Sequence, residues 1–345
     1  MSYLTKCESC GGGLTYSPQK KAICCEHCGA VYHIDVPTKP VKFVREYTAD
    51  FVPEKIPSVV NQYICENCGT SHIVEAEKVS KRCPSCGSTN IRQTNAETYF
   101  ADGIVPFELT KEKAAIIFDN WLSKRKFAPN DLHVLARNQK ISKVYVPIFN
   151  VNATNVCSYN GVVKKVHVDS STNAVFSTIH TVNDAEMLEI KNYPICANTV
   201  IDQDLIKNII KFNQAKIVPF SSDYLFGYTA AQTNKTIHDG VKFLQHEYAF
   251  IAENKVRNKL KGKYDEIENL ICSSKLENIT FNYFYSPVFM NHYTYKNKNY
   301  HCYIDGTTGK VAGKAPKSVG KILAVVGACL AVIAGIAVAL VKLLR

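Results

Sequence analysis

No Gly-x-x-x-x-Gly-Lys-[Ser/Thr] sequence occurs in the 345 residues, so the phosphate loop of an ordinary NTPase or helicase is missing. There is no Gly-x-Ser-x-Gly elbow, which removes the usual hydrolase nucleophile turn. His246-Glu247 opens like a zinc-protease helix, but Phe250 stands where the second histidine is required. His180, His238, His292 and His301 are scattered and read as surface or satisfied core residues. The chain is therefore expected not to be an enzyme. Glycine (17) and proline (13) stand at ordinary levels, excluding collagen-like and low-complexity classes. With 46% apolar and 21% charged residues, a wholly disordered chain is excluded as well. No apolar stretch precedes Cys7, so no cleaved secretory signal is expected and the compartment should be reducing.

Cysteine, by contrast, is plentiful: fourteen in all, nine of them within the first 86 residues. Cys7-x-x-Cys10, fourteen residues, then Cys25-x-x-Cys28 forms one candidate tetrathiolate, and Cys65-x-x-Cys68, fourteen residues, then Cys83-x-x-Cys86 forms a second. The two sets are offset by 58 residues, and glycine follows every pair (Gly11, Gly29, Gly69, Gly87). That pattern predicts two zinc ribbons, in which each knuckle supplies two thiolates and a short hairpin closes the tetrahedron. Cys24 beside Cys25 is an alternative ligand, although Cys25-Glu-His-Cys28 keeps the two-residue spacing. A thioredoxin-like role would need one pair on a strand-to-helix turn, whereas these four lie among Gly, Pro and Ser. Four protein thiolates leave no open coordination position, so both sites are expected to be structural. Between them, residues 36–60 carry four prolines and read as an extended linker with a short strand.

The formal charge of +11 raises the question of nucleic acid. Residues 1–100 hold eleven basic and ten acidic side chains, whereas residues 101–321 hold 28 and 20. With two zinc ions on eight thiolates the ribbon region falls to about −3, a poor phosphate binder.

In the middle of the chain, Thr110 caps a predicted helix whose apolar face is Ala114, Ile117, Phe118, Trp121 and Leu122. A short helix is expected after Pro129. The period then changes to two: strands are expected at 144–148, 155–159, 162–168 and 174–182, with turns at Asn160-Gly161 and 169–173. Helices are expected at 202–212 and at 230–260, the latter broken at Gly240, followed by strands over 278–311 with a hairpin turn at Asp305–Gly309. The aromatics Phe281, Tyr283, Phe284, Tyr285, Phe289, Tyr293, Tyr295, Tyr300 and Tyr303 suit either base stacking or a core, and strand alternation favours the core.

From Ile322 to Val341 twenty consecutive residues carry no charge, enough for a helix of about 30 Å, the thickness of a hydrocarbon core. It has no polar face. A single-pass, tail-anchored transmembrane helix is therefore expected. Lys310, Lys314, Lys317 and Lys321 precede it without an acid, which by the positive-inside rule places the N-terminal portion in the cytoplasm and these lysines near anionic headgroups. Gly327, Ala331, Gly335 and Ala339 form a small-residue stripe suited to helix association in the membrane.

The chain resembles bacterial proteins with transcription-factor-B-type zinc ribbons, often labelled primosomal-protein-N′-like helicases. The ribbons at 7–28 and 65–86 carry the resemblance, with Val105-Pro106-Phe107, Trp121-Leu122, Phe127-Ala128-Pro129, Val144–Pro147, Tyr159-Asn160-Gly161, Tyr193-Pro194 and Asp305–Gly309 in the family's order. Phe149 departs from an expected Trp. The helicase label does not carry over, since the motor motifs are missing. The membrane-anchored branch implies a recruitment platform for phage-shock-protein-A-type stress factors. The expected organisation is α+β: ribbon 1 (1–35), linker (36–60), ribbon 2 (61–92), an antiparallel-sheet α+β domain (93–312), a basic juxtamembrane segment (313–321) and a transmembrane helix (322–341). The expected function is a scaffold or adaptor that brings cytosolic or membrane protein partners to the membrane. The alternative is nucleic-acid binding in transcription or replication.

Overall fold

The computed structural model describes residues 6–34, 44–53, 60–75, 80, 82–94, 101–132, 141–296 and 298–343. Most of the expected linker, the connector at 95–100 and the expected helix beyond Leu132 lie outside the described residues.

The architecture is α+β. Strands β1 (Leu14–Ser17), β2 (Ala22–Cys25) and β3 (Val31–Tyr32) make a three-stranded antiparallel sheet of their own. A twelve-stranded mixed sheet holds the rest: β4 (Arg45–Glu46), β5 (Val60–Cys65), β6 (Ser71–Glu75), β7 (Ile91–Thr94), β8 (Gly103–Ile104), β9 (Ser142–Val168), β10 (Val175–Cys196), β11 (Val218–Pro219), β12 (Thr229–Ala231), β13 (Glu266–Tyr295), β14 (Lys298–Asp305) and β15 (Val311–Gly313). Among the described residues four α-helices accompany it: α1 (Lys111–Ser123), α2 (Gln203–Ile209), α3 (Ile237–Lys261) and α4 (Val319–Leu343).

The centre of the sheet is buried on both faces. Along β9, Val144, Val146 and Ile148 pack with α2 residues Leu205, Ile206 and Ile209 on one side. Tyr145, Phe149 and Val151 point to the other side, against Phe281, Tyr283, Tyr285 and Phe289 of β13 and the apolar faces of α1 and α3. The aromatic run is thus core, as its alternation indicated; Phe149 lies 4.8 Å from Tyr283 between ring centroids.

Several expected boundaries move. Asn160-Gly161 is no turn: residues 142–168 form one strand, and Gly161 pairs with Val182 inside it. The glycine is required instead by close approach, since a Cβ there would stand 3.1 Å from Leu270 Cα beside a bulge in β13. The turn at 169–173 forms as expected, with Asp169 Oδ1 accepting from Ser171 N at 2.8 Å. Helix α3 starts at Ile237, not 230, because Thr229–Ala231 pair with both β9 and β6. Its start is a capping box, Thr236 Oγ1 accepting from Asp239 N at 3.1 Å while Asp239 accepts from Thr236 N at 3.2 Å. Gly240 does not break it; the helix crosses β10 there, where a Cβ would meet Ile195 Cγ2 at 3.2 Å. Helix α2 is shorter than expected, ending at Ile209. At the last hairpin, buried Asp305 accepts from Thr307 N at 2.8 Å and Thr308 N at 2.7 Å, closing the expected turn.

Three histidines are held neutral by burial: His72 is lowered to about 4, His292 to about 3, and His301 is also lowered. His292 and His301 are hydrogen-bonded to each other through Nδ1 atoms 2.6 Å apart. Because the unfolded chain takes up protons below about pH 6.5 while these sites do not, stability should fall as pH drops from 6.5 toward 4. His292 alone should cost about 2 kcal/mol between pH 7 and 5. Urea unfolding at both pH values, with metal content monitored, should show a smaller pH difference in His292→Phe than in the parent chain; an equal difference would remove His292 as a cause.

Candidate metal centres and the apolar helix

Each cysteine pair sits on a backbone turn whose geometry recurs four times. The first cysteine donates its N–H five residues ahead (Cys7 to Gly12 O, Cys25 to Ala30 O, Cys65 to Thr70 O, Cys83 to Ser88 O), at 2.8–3.0 Å. The glycine four residues on returns its N–H to the cysteine carbonyl at 2.7–3.1 Å. Closing this turn puts Gly11, Gly29, Gly69 and Gly87 at φ of 68–75°, where a Cβ costs about 1–2 kcal/mol. The glycine after each pair is therefore a requirement of the turn.

These turns bring the sulfurs together. Cys7, Cys10, Cys25 and Cys28 form one group and Cys65, Cys68, Cys83 and Cys86 a second, with all four Sγ atoms of each within 4.8 Å of one another. Contacts between knuckles are 3.4 Å (Cys7–Cys28), 3.5 Å (Cys10–Cys25), 3.7 Å (Cys65–Cys86) and 3.6 Å (Cys68–Cys83). Four sulfurs about 2.3 Å from a central ion would be about 3.8 Å apart along each tetrahedral edge. The donor sets thus fit a tetrahedrally bound thiophilic metal. Cys24 is outside the group; its Sγ donates to Ala22 O at 3.8 Å.

Their surroundings favour thiolate at some sulfurs and oppose it at others. The Tyr32 hydroxyl, 3.2 Å from Cys7 Sγ, draws that thiol down to about 6. The Cys28 and His27 amides lower Cys25. Burial raises Cys65, but the Cys68 and Asn67 amides together bring it below its ordinary value. Burial pushes Cys83 up. Four close thiolates repel each other, and a bound divalent cation is what lets all four ionise. Gly12 keeps the first cluster open, since a Cβ there would lie 3.1 Å from Cys25 Sγ and 3.2 Å from Cys10 Sγ. The spacing revealed the eight thiols; Tyr32 was missed, having no motif to mark it.

The two clusters attach differently to the main sheet, yet through one segment. For the first, Tyr16 N donates to Phe226 O at 2.9 Å and the Tyr228 hydroxyl to Tyr16 O at 3.3 Å. Gly227, at φ 74°, lies against Thr15, whose Oγ1 would be 2.2 Å from a Cβ. For the second, β6 is a strand of the large sheet: Ile73 pairs with Ala230, His72 with Ala231, and Gln232 N donates to Ser71 O at 2.9 Å. Within the expected linker, β4 pairs with β13 (Arg45 opposite Phe281), and Arg45 grips Asp102 through two hydrogen bonds of 2.7 and 2.6 Å.

At the far end, α4 contains 19 residues, Val319–Ala337, long and apolar enough to cross a membrane, and none of that window is buried. Leu323, Leu330, Val332 and Ile333 are over 60% exposed. Gly327, Ala331, Gly335 and Ala339 are uncovered too. Helix and body are joined by a clamp: Ser318 N donates to Phe127 O at 2.7 Å, and Lys321 Nζ to Ala128 O at 2.6 Å.

No protein-family model matches the chain, and no solved structure matches it. It is 24% identical over 322 residues to the uncharacterized protein YdjG of Bacillus subtilis (strain 168), an alignment that covers 77% of this chain and 93% of that protein. The similarity thus takes in most of both chains and brings no activity with it.

Proposed function

We propose that this protein is a membrane-anchored adaptor, with two zinc ribbons and an α+β body facing the cytoplasm, that brings protein partners to the membrane. The observation that carries the reading is α4. Its apolar surface is uncovered all round, and in water so large an exposed patch is unfavourable, whereas in lipid it is the ordinary state of a spanning helix. The lysines before it and the resemblance to the membrane-anchored branch of ribbon proteins support the orientation.

Zinc suits the donor sets, because four thiolates at tetrahedral separation match its preferred coordination and leave no position for water. On this reading the ribbons are recognition modules and their metal is structural. The near-neutral cysteine-rich region favours protein over nucleic acid as the partner. Helix α4 serves as a single-pass anchor, and its small-residue stripe is suited to pairing with another span.

The test compares cells making the full chain with cells making Leu330→Arg/Ile333→Arg and Cys10→Ser/Cys68→Ser versions, using cross-linking followed by membrane fractionation. A cytosolic protein should shift to the membrane fraction with the full chain and with neither variant. If no protein changes its distribution, the adaptor reading fails.

A further inference from the structure

Beside the root of α4 lies a groove of about 500 Å3 that joins two segments nearly 190 residues apart in sequence. One wall is the turn after α1, residues 124–128; the other is the strap of residues 313–317 that leads into α4. Five of its lining residues are basic and none is acidic. Two of the five have internal roles: Lys314 Nζ pairs with Asp202 Oδ2 at 2.5 Å, and Arg125 stacks over the Trp121 ring at 4.6 Å. Lys124, Lys126 and Lys317 have no ion-pair partner among the described residues. Three uncompensated cations around one concavity raise the local potential and call for an anion.

The position says which anion. The clamp of Ser318 and Lys321 on Phe127 and Ala128 holds the 124–128 turn level with the first turn of α4. One helical turn is about 5.4 Å, and the polar layer of a bilayer is about 5–8 Å deep on each side. A groove within one turn of the apolar helix therefore lies in the headgroup layer when that helix is inserted. Phe127, 43% exposed at the groove, supplies an apolar side chain at the same level. We infer that this groove is a binding site for the phosphate of an anionic phospholipid headgroup, with Lys124, Lys126 and Lys317 as its cationic contacts. The inference rests on the reading of α4 as a membrane span. It goes beyond that reading in assigning a lipid-selective site to the folded body, built in part from residues far from the span in sequence. The anchor sets the depth, and the groove sets lipid preference and holds the body at a fixed tilt.

The lone tryptophan is a native reporter. Trp121 carries Arg125 on its ring, and its Cζ2 would lie 2.9 Å from a Cβ on Gly313, a groove residue. The experiment places the full chain in nanodiscs of phosphatidylcholine with increasing phosphatidylglycerol and follows Trp121 emission. Retention in the discs through an alkaline carbonate wash is scored separately. A saturable change with phosphatidylglycerol is expected, its midpoint rising about fivefold for each of Lys124→Gln, Lys126→Gln and Lys317→Gln, with metal content and retention unchanged. Retention without any difference between the two lipids, or an unchanged midpoint in the triple variant, would overturn the groove while leaving the anchor standing. Loss from the discs on washing would overturn both. Inorganic phosphate producing the same change in pure phosphatidylcholine discs would overturn the assignment to lipid.

Discussion

Replacing Cys65 with serine should reduce bound metal from two ions per chain to one and lower the melting temperature of the whole molecule. The cluster is closed by four thiolates from two turns, so loss of one leaves an open, weaker site. A module of this size folds largely on the metal's binding energy, about 10–16 kcal/mol for structural zinc. The effect should spread because β6 is part of the large sheet. Ile73 sits fully buried in the main core with Tyr145 and Ala230, and its strand pairs with β12. Withdrawing a buried isoleucine costs about 2–5 kcal/mol, which corresponds to a shift of roughly 5–15 °C for a domain of this size. The equivalent change at Cys7 should cost less, because the first cluster sits on its own three-stranded sheet and adds no strand to the large one, meeting the body through Tyr16 in the main core and Phe226 in its own small core. Gly227→Ala should weaken that contact without touching a sulfur, since it forces a Cβ both into the left-handed region and onto Thr15. Metal analysis and thermal unfolding of the three variants check the order. Equal melting temperatures for Cys65→Ser and Cys7→Ser would show that the β6–β12 pairing adds nothing to stability.

What the sequence revealed was mostly local. Cysteine pairs followed by glycine, the Thr110 cap, the Asp305–Gly309 turn and the apolar run each depend on residues within a few positions of one another. The long strands were misread where a local signal had two causes. Asn160-Gly161 carries the signature of a hairpin, but its glycine serves contact with Leu270 about 110 residues away. Likewise, Ala230 and Ala231 suit a helix, and only pairing with β6 and β9 makes them strand. One local cue was available there: Thr236-x-x-Asp239 is a capping-box pattern that places the helix start correctly. The join between the second cluster and the body crosses some 158 residues of sequence and has no local mark. The groove is of the same kind. Lys124-Arg125-Lys126 is a visible basic run, but nothing nearby signals that it meets residues 313–317.

Two arginines in the middle of α4 should turn the protein from membrane-bound to released. Between Ile322 and Val341 there are eleven Ile, Leu and Val residues, each favouring insertion by about 0.3–0.6 kcal/mol on the translocon scale, or roughly 3–7 kcal/mol together. Arginine near the centre opposes it by about 2.5–3.5 kcal/mol, so Leu330→Arg with Ile333→Arg adds roughly 5–7 kcal/mol against insertion while removing two favourable side chains. The balance crosses zero. Both positions are over 60% exposed and distant from the clamp at Ser318 and Lys321, so the folded body has no contact to lose. After alkaline carbonate extraction the parent chain should stay with the membrane pellet, the double-arginine variant should appear in the supernatant, and both should contain the same amount of metal. Leu330→Val with Ile333→Leu keeps the apolar surface and should pellet like the parent. If the parent itself is released intact, α4 is covered by protein rather than lipid, and the anchor, the adaptor reading and the headgroup site fall together, leaving the two metal clusters and the segment 226–232 to which both attach.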